Sequence, residues 1–476
     1  MTSESPHALP WLIQGGMGIA ISGWQLAQTV SRAGQLGVVS GTAINGVFVR
    51  RLQDDGIDET LGSILSRFPD QRLVDDVVEH YGTRRRDTDA PYRNVPMLTV
   101  KSSARSIGLV VLAAFVEVAL AKEGHDGIVG MNLLTKVQIP TVPSLYGAML
   151  AGVDYVLMGA GVPTHIPGLL DRLAIGDVID LPLQIVGDAA PSQPPLLHFD
   201  PTMFGPRRDL TRPKFIGIVS SHVLASALAK RSSGSVEGFV VERPSAGGHN
   251  APPRGRFELD DEGNPLYGER DHVDYDAMRA LDLPFWIGGS ITSREDVVAA
   301  LELGATGVQV GTLFAYCRES GFDPTLRHDI LERVRHSSIH VTTSMTASPT
   351  GYPFKVAQSE GSISETAVYD ERERKCDLGF LRDAYTKDDG TLGYRCPAEP
   401  ADAYVKKGGL LADTLERTCL CNGLMATCGL GQVRSDGRHE PPIITSGDCI
   451  DQVRTLLGSA ESYGALDVMA HLLPTG

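Results

Sequence analysis

A histidine directly behind two glycines, in Ser245-Ala246-Gly247-Gly248-His249-Asn250, is the residue of this chain best placed to move a proton. Imidazole accepts or donates a proton near neutral pH, and the glycines let a substrate or cofactor come close. The chain holds 13 histidines, and a lone one is more often structural. The weight therefore rests on position, in a loop that follows an apolar, β-rich run. Asn250, Arg254 and Arg256 come next and either contact a substrate or face solvent. His222, behind Ser220-Ser221, is a weaker signal, and a structural role leads there.

Two glycine-rich segments, Gly288-Gly289-Ser290 and Gly311-Thr312, end consecutive apolar runs. Without Cβ atoms, their backbone N–H groups can approach a phosphate. A helix starting near Ser293, with Asp296 forming a capping box, would complete that edge. One such pair reads equally as a tight turn; two on neighbouring strands favour the phosphate. Gln14-Gly15-Gly16-Met17-Gly18 offers close approach beside an apolar side chain. That suits the face of a flat ring, or equally a turn with a core methionine. Cys376, Cys396, Cys419 and Cys421 follow the pattern C-x19-C-x22-C-x-C. Four thiolates can hold zinc or an iron–sulfur cluster. The paired CxxC knuckles are missing, so buried reduced thiols are favoured and no metal is assigned.

These residues need elements to carry them, and a repeat supplies those. A helical stretch, a Gly, a short gap and an apolar run recur at 31–41, 121–132, 149–159 and 301–311, more loosely at 233–242. The Gly stops each helix in the left-handed conformation, and the Val- and Ile-rich run suits a strand covered on both faces. Runs at 11–18, 213–221 and 284–290 bring the expected strands to eight, joined by right-handed crossovers. The spacing thus predicts an α/β fold, a TIM (β/α)8 barrel with insertions and a C-terminal, mostly helical or irregular appendage. No GxGxxG opens a helix after the first strand, which weakens a doubly wound sheet. The barrel is expected over residues 10–345, with insertions near 52–100 and 180–212, and the Cys-containing appendage over 346–476. In such a barrel the site lies past the carboxyl ends of the strands. That rule gathers Gly16, Met17, Asn132, Gly248, His249, Gly288, Gly289, Gly311 and Thr312.

Composition excludes several classes. A net charge of −15 disfavours nucleic acid and anionic membranes as partners, since both reward clustered Lys and Arg. Residues 1–10 have neither a basic start nor an apolar run, so no secretory signal is expected. Ile107 to Ala121 is apolar but too short to cross a bilayer, and it carries Glu117. Seven cysteines, an odd number, fit a reducing compartment. The expectation is a cytoplasmic, acidic, globular protein.

Taken in order, the motifs resemble those of the nitronate monooxygenase (2-nitropropane dioxygenase) family. QGGMG is similar to its first-strand turn, GIVGMNLL to its Asn-bearing third strand, and SAGGHN, WIGGSIT and GVQVGTLF to its later segments. The resemblance runs from residue 10 to about 345. It implies non-covalent FMN, with Gly16 and Met17 against the isoalloxazine and Asn132 hydrogen-bonded to the flavin. Gly248 would line the same cofactor site, while Gly288, Gly289, Gly311 and Thr312 would hold the phosphate. It also implies that His249 removes the proton α to a nitro group, in an oxygen-using oxidoreductase. Flavin-dependent enoyl-acyl carrier protein reductases and trans-acting enoyl reductases share the barrel and its histidine. An NAD(P)H-dependent enoyl-thioester reductase is therefore the alternative, and a non-catalytic FMN- or acyl-carrier-binding subunit a second one. The substrate is accordingly a small molecule or an acyl thioester, and a homo-oligomer is left open.

Overall fold

The computed structural model describes residues 9–83, 85–187 and 193–473. The expectations placed on residues 1–8, on Arg84, on Pro191-Ser192 of the Pro-rich stretch and on 474–476 lie outside the described residues.

Eight parallel strands form one sheet: β1 (Leu12–Gln14), β2 (Gly37–Ser40), β3 (Val129–Leu134), β4 (Tyr155–Gly159), β5 (Lys214–Val219), β6 (Gly238–Glu242), β7 (Phe285–Gly288) and β8 (Gly307–Val310). They coincide with the eight apolar runs read from the sequence. Between β1 and β8 the register is Leu12↔Val308. On its other side β1 meets β2 through an Ile13–Leu36 bridge and two backbone hydrogen bonds, which closes the sheet into a barrel. Gly34, Gly124, Gly152 and Gly304 all have positive φ where the preceding helices stop, as the repeat requires.

β1 is short, so the seam with β2 relies on side chains. The amide of Gln14, wholly buried, accepts from Val38 N (3.0 Å) and donates to Gly15 O (2.6 Å) and Ser22 Oγ (2.8 Å). Ser22 Oγ in turn accepts from Met17 N at 2.8 Å. Inside the barrel, Ile13, Val38, Leu157, Ile216, Val240 and Trp286 pack together.

Outside run α1 (Trp24–Arg32), α2 (Ala104–Lys122), α3 (Thr141–Leu150), α4 (Ile166–Ala174), α5 (His222–Arg231), α6 (Tyr275–Arg279), α7 (Arg294–Glu302) and α8 (Pro324–Arg335). Helix α2 is longer than the apolar run suggested, and by length and composition it could cross a membrane. Its apolar window is instead 78% buried inside the protein, with Glu117 accepting from Trp24 N and paired with Arg51 at 3.0 Å. The first insertion supplies helices Ile44–Asp55, Glu59–Ser66 and Gln71–Val77; the second contains the antiparallel pair Ile179–Pro182 and Leu196–Phe199.

The C-terminal segment contains more strand than expected. Its chain forms one hairpin from β9 (His340–Ser344) and β10 (Phe354–Gln358), and another at Asp383–Thr386 and Leu392–Arg395. Alternating polar and apolar residues with short turns allow this, but the Cys and charge content masked it. Helices α9 (Leu420–Thr427) and α10 (Ala465–Leu472) follow. Helix α10 packs on both α1 and α7, so it covers the barrel where last and first strands meet. Val468, Met469 and Leu472 are buried in the same core as the barrel strands. Leu472→Ala is therefore expected to destabilise the barrel by about 2–5 kcal/mol, whereas exposed Leu466→Ala should cost less than about 0.5 kcal/mol. Urea unfolding followed by tryptophan fluorescence, which reports on Trp11, Trp24 in α1 and Trp286 in β7, measures both.

Candidate active site

The carboxyl ends of the strands open into a cavity with about 1700 Å³ of atom-free space, part of it continuous with solvent. Gly16, Met17, Asn132, Gly248, His249, Gly289, Gly311 and Thr312 all line it. Gly288 does not. It is the last residue of β7, beneath the rim, where an added Cβ would face Val240 and Gln309.

Gly16 is required by its neighbour. A Cβ there would lie 2.2 Å from Cβ of Asn132, so the loop after β1 and the end of β3 touch through missing side-chain volume. The Asn132 side chain, 8% exposed, has no hydrogen-bond partner among the described residues. Gln309 Oε1 is likewise buried without a partner, on the same cavity wall. Buried polar atoms are normally paired, so these two amides have unmet capacity toward whatever fills the cavity.

The glycines beside His249 line the cavity and also serve the packing of the backbone. An added Cβ on Gly247 would come within 2.9 Å of Gly447 N, so Gly247 also lets two backbones cross. Gly248 N donates to Thr445 Oγ1 (2.9 Å), and Gly248 O accepts from Lys355 N on β10 (3.0 Å). His249 Nε2 lies 2.7 Å from Ser348 Oγ, and its ring meets Phe354 edge-on at 4.8 Å. Burial pushes the imidazolium down to about 4, so the ring is neutral at physiological pH.

The glycine-rich edge also differs in detail. Helix α7 does start behind Ser293 with the expected capping box. Asp296, however, accepts from Thr292 N (2.8 Å) and Ser293 N (3.0 Å), so a carboxylate already occupies these helix-start amides. The cavity edge here is instead formed by Gly289, Ser290 and Ile291, with Gly311, Thr312 and Gly447 opposite. Gly447 N donates to Thr312 Oγ1 at 3.1 Å.

Asn250, Arg254 and Arg256 do not line the cavity. Asn250 donates to Ala246 O, Arg254 pairs with Asp271, and Arg256 sits in solvent near Glu258. His222 Nδ1 accepts from Asp274 N, a structural role. Sequence reading missed Ser348, Thr445 and Gly447, which come from the C-terminal segment and have no local signature. It also missed Glu242, although its place at the end of β6 was a usable signal. Its carboxyl reaches the cavity, and burial pushes it up to about 7.

Residues 202–391 match the family model described as nitronate monooxygenase. The match includes His249, Gly288, Gly289, Gly311 and Thr312, and it leaves out Gly16, Met17 and Asn132. It also starts later and ends later than the span read from the motifs. A probable nitronate monooxygenase of Staphylococcus saprophyticus is 31% identical over 137 residues, 29% of this chain and 36% of that protein. Another from Bacillus subtilis is 38% identical over 93 residues, 20% of this chain and 25% of that protein. The chain thus aligns with about a third and a quarter of these relatives' lengths. Among solved structures, FabK from Thermotoga maritima superposes with a TM-score of 0.47 at 15% identity, covering 97% of this chain and 91% of that one. The resemblance to nitronate monooxygenases is therefore one of sequence, over a stretch that includes the histidine and the glycine-rich strand ends.

Gly16→Ala tests the contact between the loop after β1 and β3. It should displace Asn132 and lower the affinity for added FMN at least tenfold, measured by flavin fluorescence quenching. Gly255→Ala, where the added Cβ meets nothing within 4 Å, should leave that affinity unchanged.

Proposed function

We propose that the chain is an FMN-dependent oxidoreductase that oxidises nitroalkanes or their nitronates with oxygen. The observation that carries this reading is His249, a neutral imidazole at the rim of the cavity with Nε2 engaged by Ser348. The residues fit a flavin. Gly16 and Met17 offer a close, partly apolar surface, and the unmet amides of Asn132 and Gln309 suit a polar ring edge. Backbone at Gly289, Gly311 and Thr312 would receive the phosphate. When bound, flavin supplies the electron transfer from substrate to oxygen, and the protein supplies orientation and proton handling.

Nε2 is engaged by Ser348 Oγ, which leaves Nδ1 of His249 as the nitrogen to accept the proton α to a nitro group. Ser348 is itself fixed, since its hydroxyl accepts from Thr350 N and its carbonyl accepts from Arg417. The ring is thereby held in one orientation, as a general base must be. The Phe354 edge contact shields it from water, which weakens the imidazolium and keeps the base unprotonated.

A second reading rests on the cavity wall. Phe354, Phe380, Leu381, Leu420 and Leu424 give it an apolar side contributed wholly by the C-terminal segment. Such a wall favours a substrate with extended hydrocarbon, as in an enoyl thioester reduced with NAD(P)H.

His249→Ala should retain FMN and lose about 10²–10⁴-fold in turnover of neutral nitroalkanes. Preformed nitronates need no deprotonation and should be oxidised near the wild-type rate. Equal losses on both substrates would reassign His249 to positioning. Wild-type flavin that NAD(P)H reduces and an enoyl thioester reoxidises, while nitroalkanes and nitronates leave it oxidised, would replace the first reading by the second.

The pH profile follows from the depressed imidazolium. A base that protonates only near pH 4 keeps kcat/KM for nitroalkanes level from pH 7 down to about 5, with the fall below that. An acid limb centred near 6.5 would contradict it.

A further inference from the structure

Behind the loop that carries His249 lies a second cavity, and one carboxyl borders both. This second cavity opens to solvent and has a water-accessible volume of about 850 Å³. It is walled by the loop after β6, the β9–β10 hairpin and the turn at Asp448. Tyr267, Asp271, Thr343, Lys355 and Asp448 give it a polar lining, which keeps such a space wet. Among the described residues, Glu242 and Ser245 alone line this cavity and the flavin cavity together. They stand in the partition between outside water and the reaction space.

Glu242 ends β6, so the barrel fixes its backbone at the rim. Its carboxylate makes no hydrogen bond or ion pair among the described residues. The side chain is enclosed by protein, yet it keeps some accessible surface because it borders both cavities. Burial alone pushes the carboxyl up, to about 7. The ionisable groups around it are occupied or without effect. Lys355 on β10 is held by Asp448 at 2.7 Å, and Asp271 by Arg254 at 3.5 Å. Arg243, His249, Asp260, Tyr267 and His272 on the same loop do not shift Glu242. Neither do His340 on β9, nor Cys449 and Asp451 beside Asp448. An unpaired carboxyl that is wet on two sides and titrates near neutral pH can take a proton from one side and yield it to the other.

We propose that Glu242 is the proton conduit between the reaction cavity and the solvent-open cavity behind it. This role rests on the flavin reading of the site but not on the choice of substrate. In nitroalkane oxidation the Cα–H bond breaks, its electron pair stays on the nitronate, and the proton goes to Nδ1 of His249. The imidazolium passes that proton through cavity water to the Glu242 carboxylate. The resulting carboxylic acid releases it to water on the far side, which leaves His249 neutral and Glu242 ionised again. Transfer in that order is downhill, since burial leaves the imidazolium more acidic than the carboxyl. In enoyl reduction the same path runs inward and supplies the proton that the substrate carbon takes up. Ser245 shares the partition, and its hydroxyl can both donate and accept along the way.

Glu242→Gln keeps the side-chain shape and breaks no pair, so the variant should retain the wild-type circular dichroism and FMN affinity. Difference infrared spectra of wild type and variant should show one protonated carboxyl that ionises with a midpoint near pH 7. Turnover of a nitroalkane should fall about 10²-fold in the variant. Preformed nitronate has no proton to export and should be oxidised near the wild-type rate. Added imidazole should restore the variant's rate in proportion to its concentration and leave wild type unchanged, and Glu242→Asp should recover part of the rate unaided. If wild type reduces enoyl thioesters instead, the same loss and rescue are expected on that substrate. A carboxyl at 242 that stays ionised across neutral pH would overturn the assignment, and so would a loss that imidazole does not relieve. Wild type that turns over neither substrate class would sink the functional reading, and the infrared titration would still uphold or sink the proton-exchanging carboxyl.

Discussion

The buried amide of Gln14 holds the barrel closed and shapes the first loop of the site. β1 has three residues and touches β2 through one bridge, so backbone pairing alone leaves that seam thin. Gln14 spans it, and every polar atom of its amide is bonded. Leaving such a group unpaired in the interior costs about 1–3 kcal/mol, which fixes the side chain in one arrangement. Ser22 passes that constraint to Met17, whose N–H it receives, and Met17 O accepts from Ser22 N. The loop from Gly15 to Met17 is thereby curled against Asn132, and the first wall of the cavity follows from the closure of the sheet.

The opposite wall depends on residues that arrive much later in the chain. β10 pairs with the loop that carries His249, while Thr445 and Gly447 hold Gly248 and Thr312. Phe354, Phe380, Leu381, Leu420 and Leu424 give the cavity one apolar side, and α10 covers the outer seam between α1 and α7. The C-terminal segment therefore belongs to the barrel's core and to its site alike. The family-model match, which runs on to residue 391, agrees with this continuity.

What the sequence revealed was local, and what it concealed was long-range. Gly34, Gly124, Gly152 and Gly304 mark helix ends through their own backbone needs, so the eight strands between them could be counted. The position rule for barrels then collected eight of the nine proposed site residues, with Gly288 one step too deep. That the small size of Gly247 also answers to Gly447, two hundred residues on, could not be read locally. Asp296 is the cap that the sequence marks, and it also holds the amides of Thr292 and Ser293 just ahead of α7. Ser348 could not be found, since one serine in a polar stretch carries no mark of the histidine it will meet. The four cysteines show the same limit, for their spacing obeys no knuckle pattern and only the packed segment brings them together.

The crossing of the His249 loop with the end of the chain has a consequence for biosynthesis. When the last barrel strand has left the ribosome, His249 still lacks Ser348, Gly248 lacks Thr445, and the seam between α1 and α7 is bare. The strands can pair at that point, but the pocket is a half-shell open to water. A chain cut between the last barrel strand and residue 445 would thus keep its eight strands and lose the contacts that hold Gly248 and, if cut before residue 348, His249.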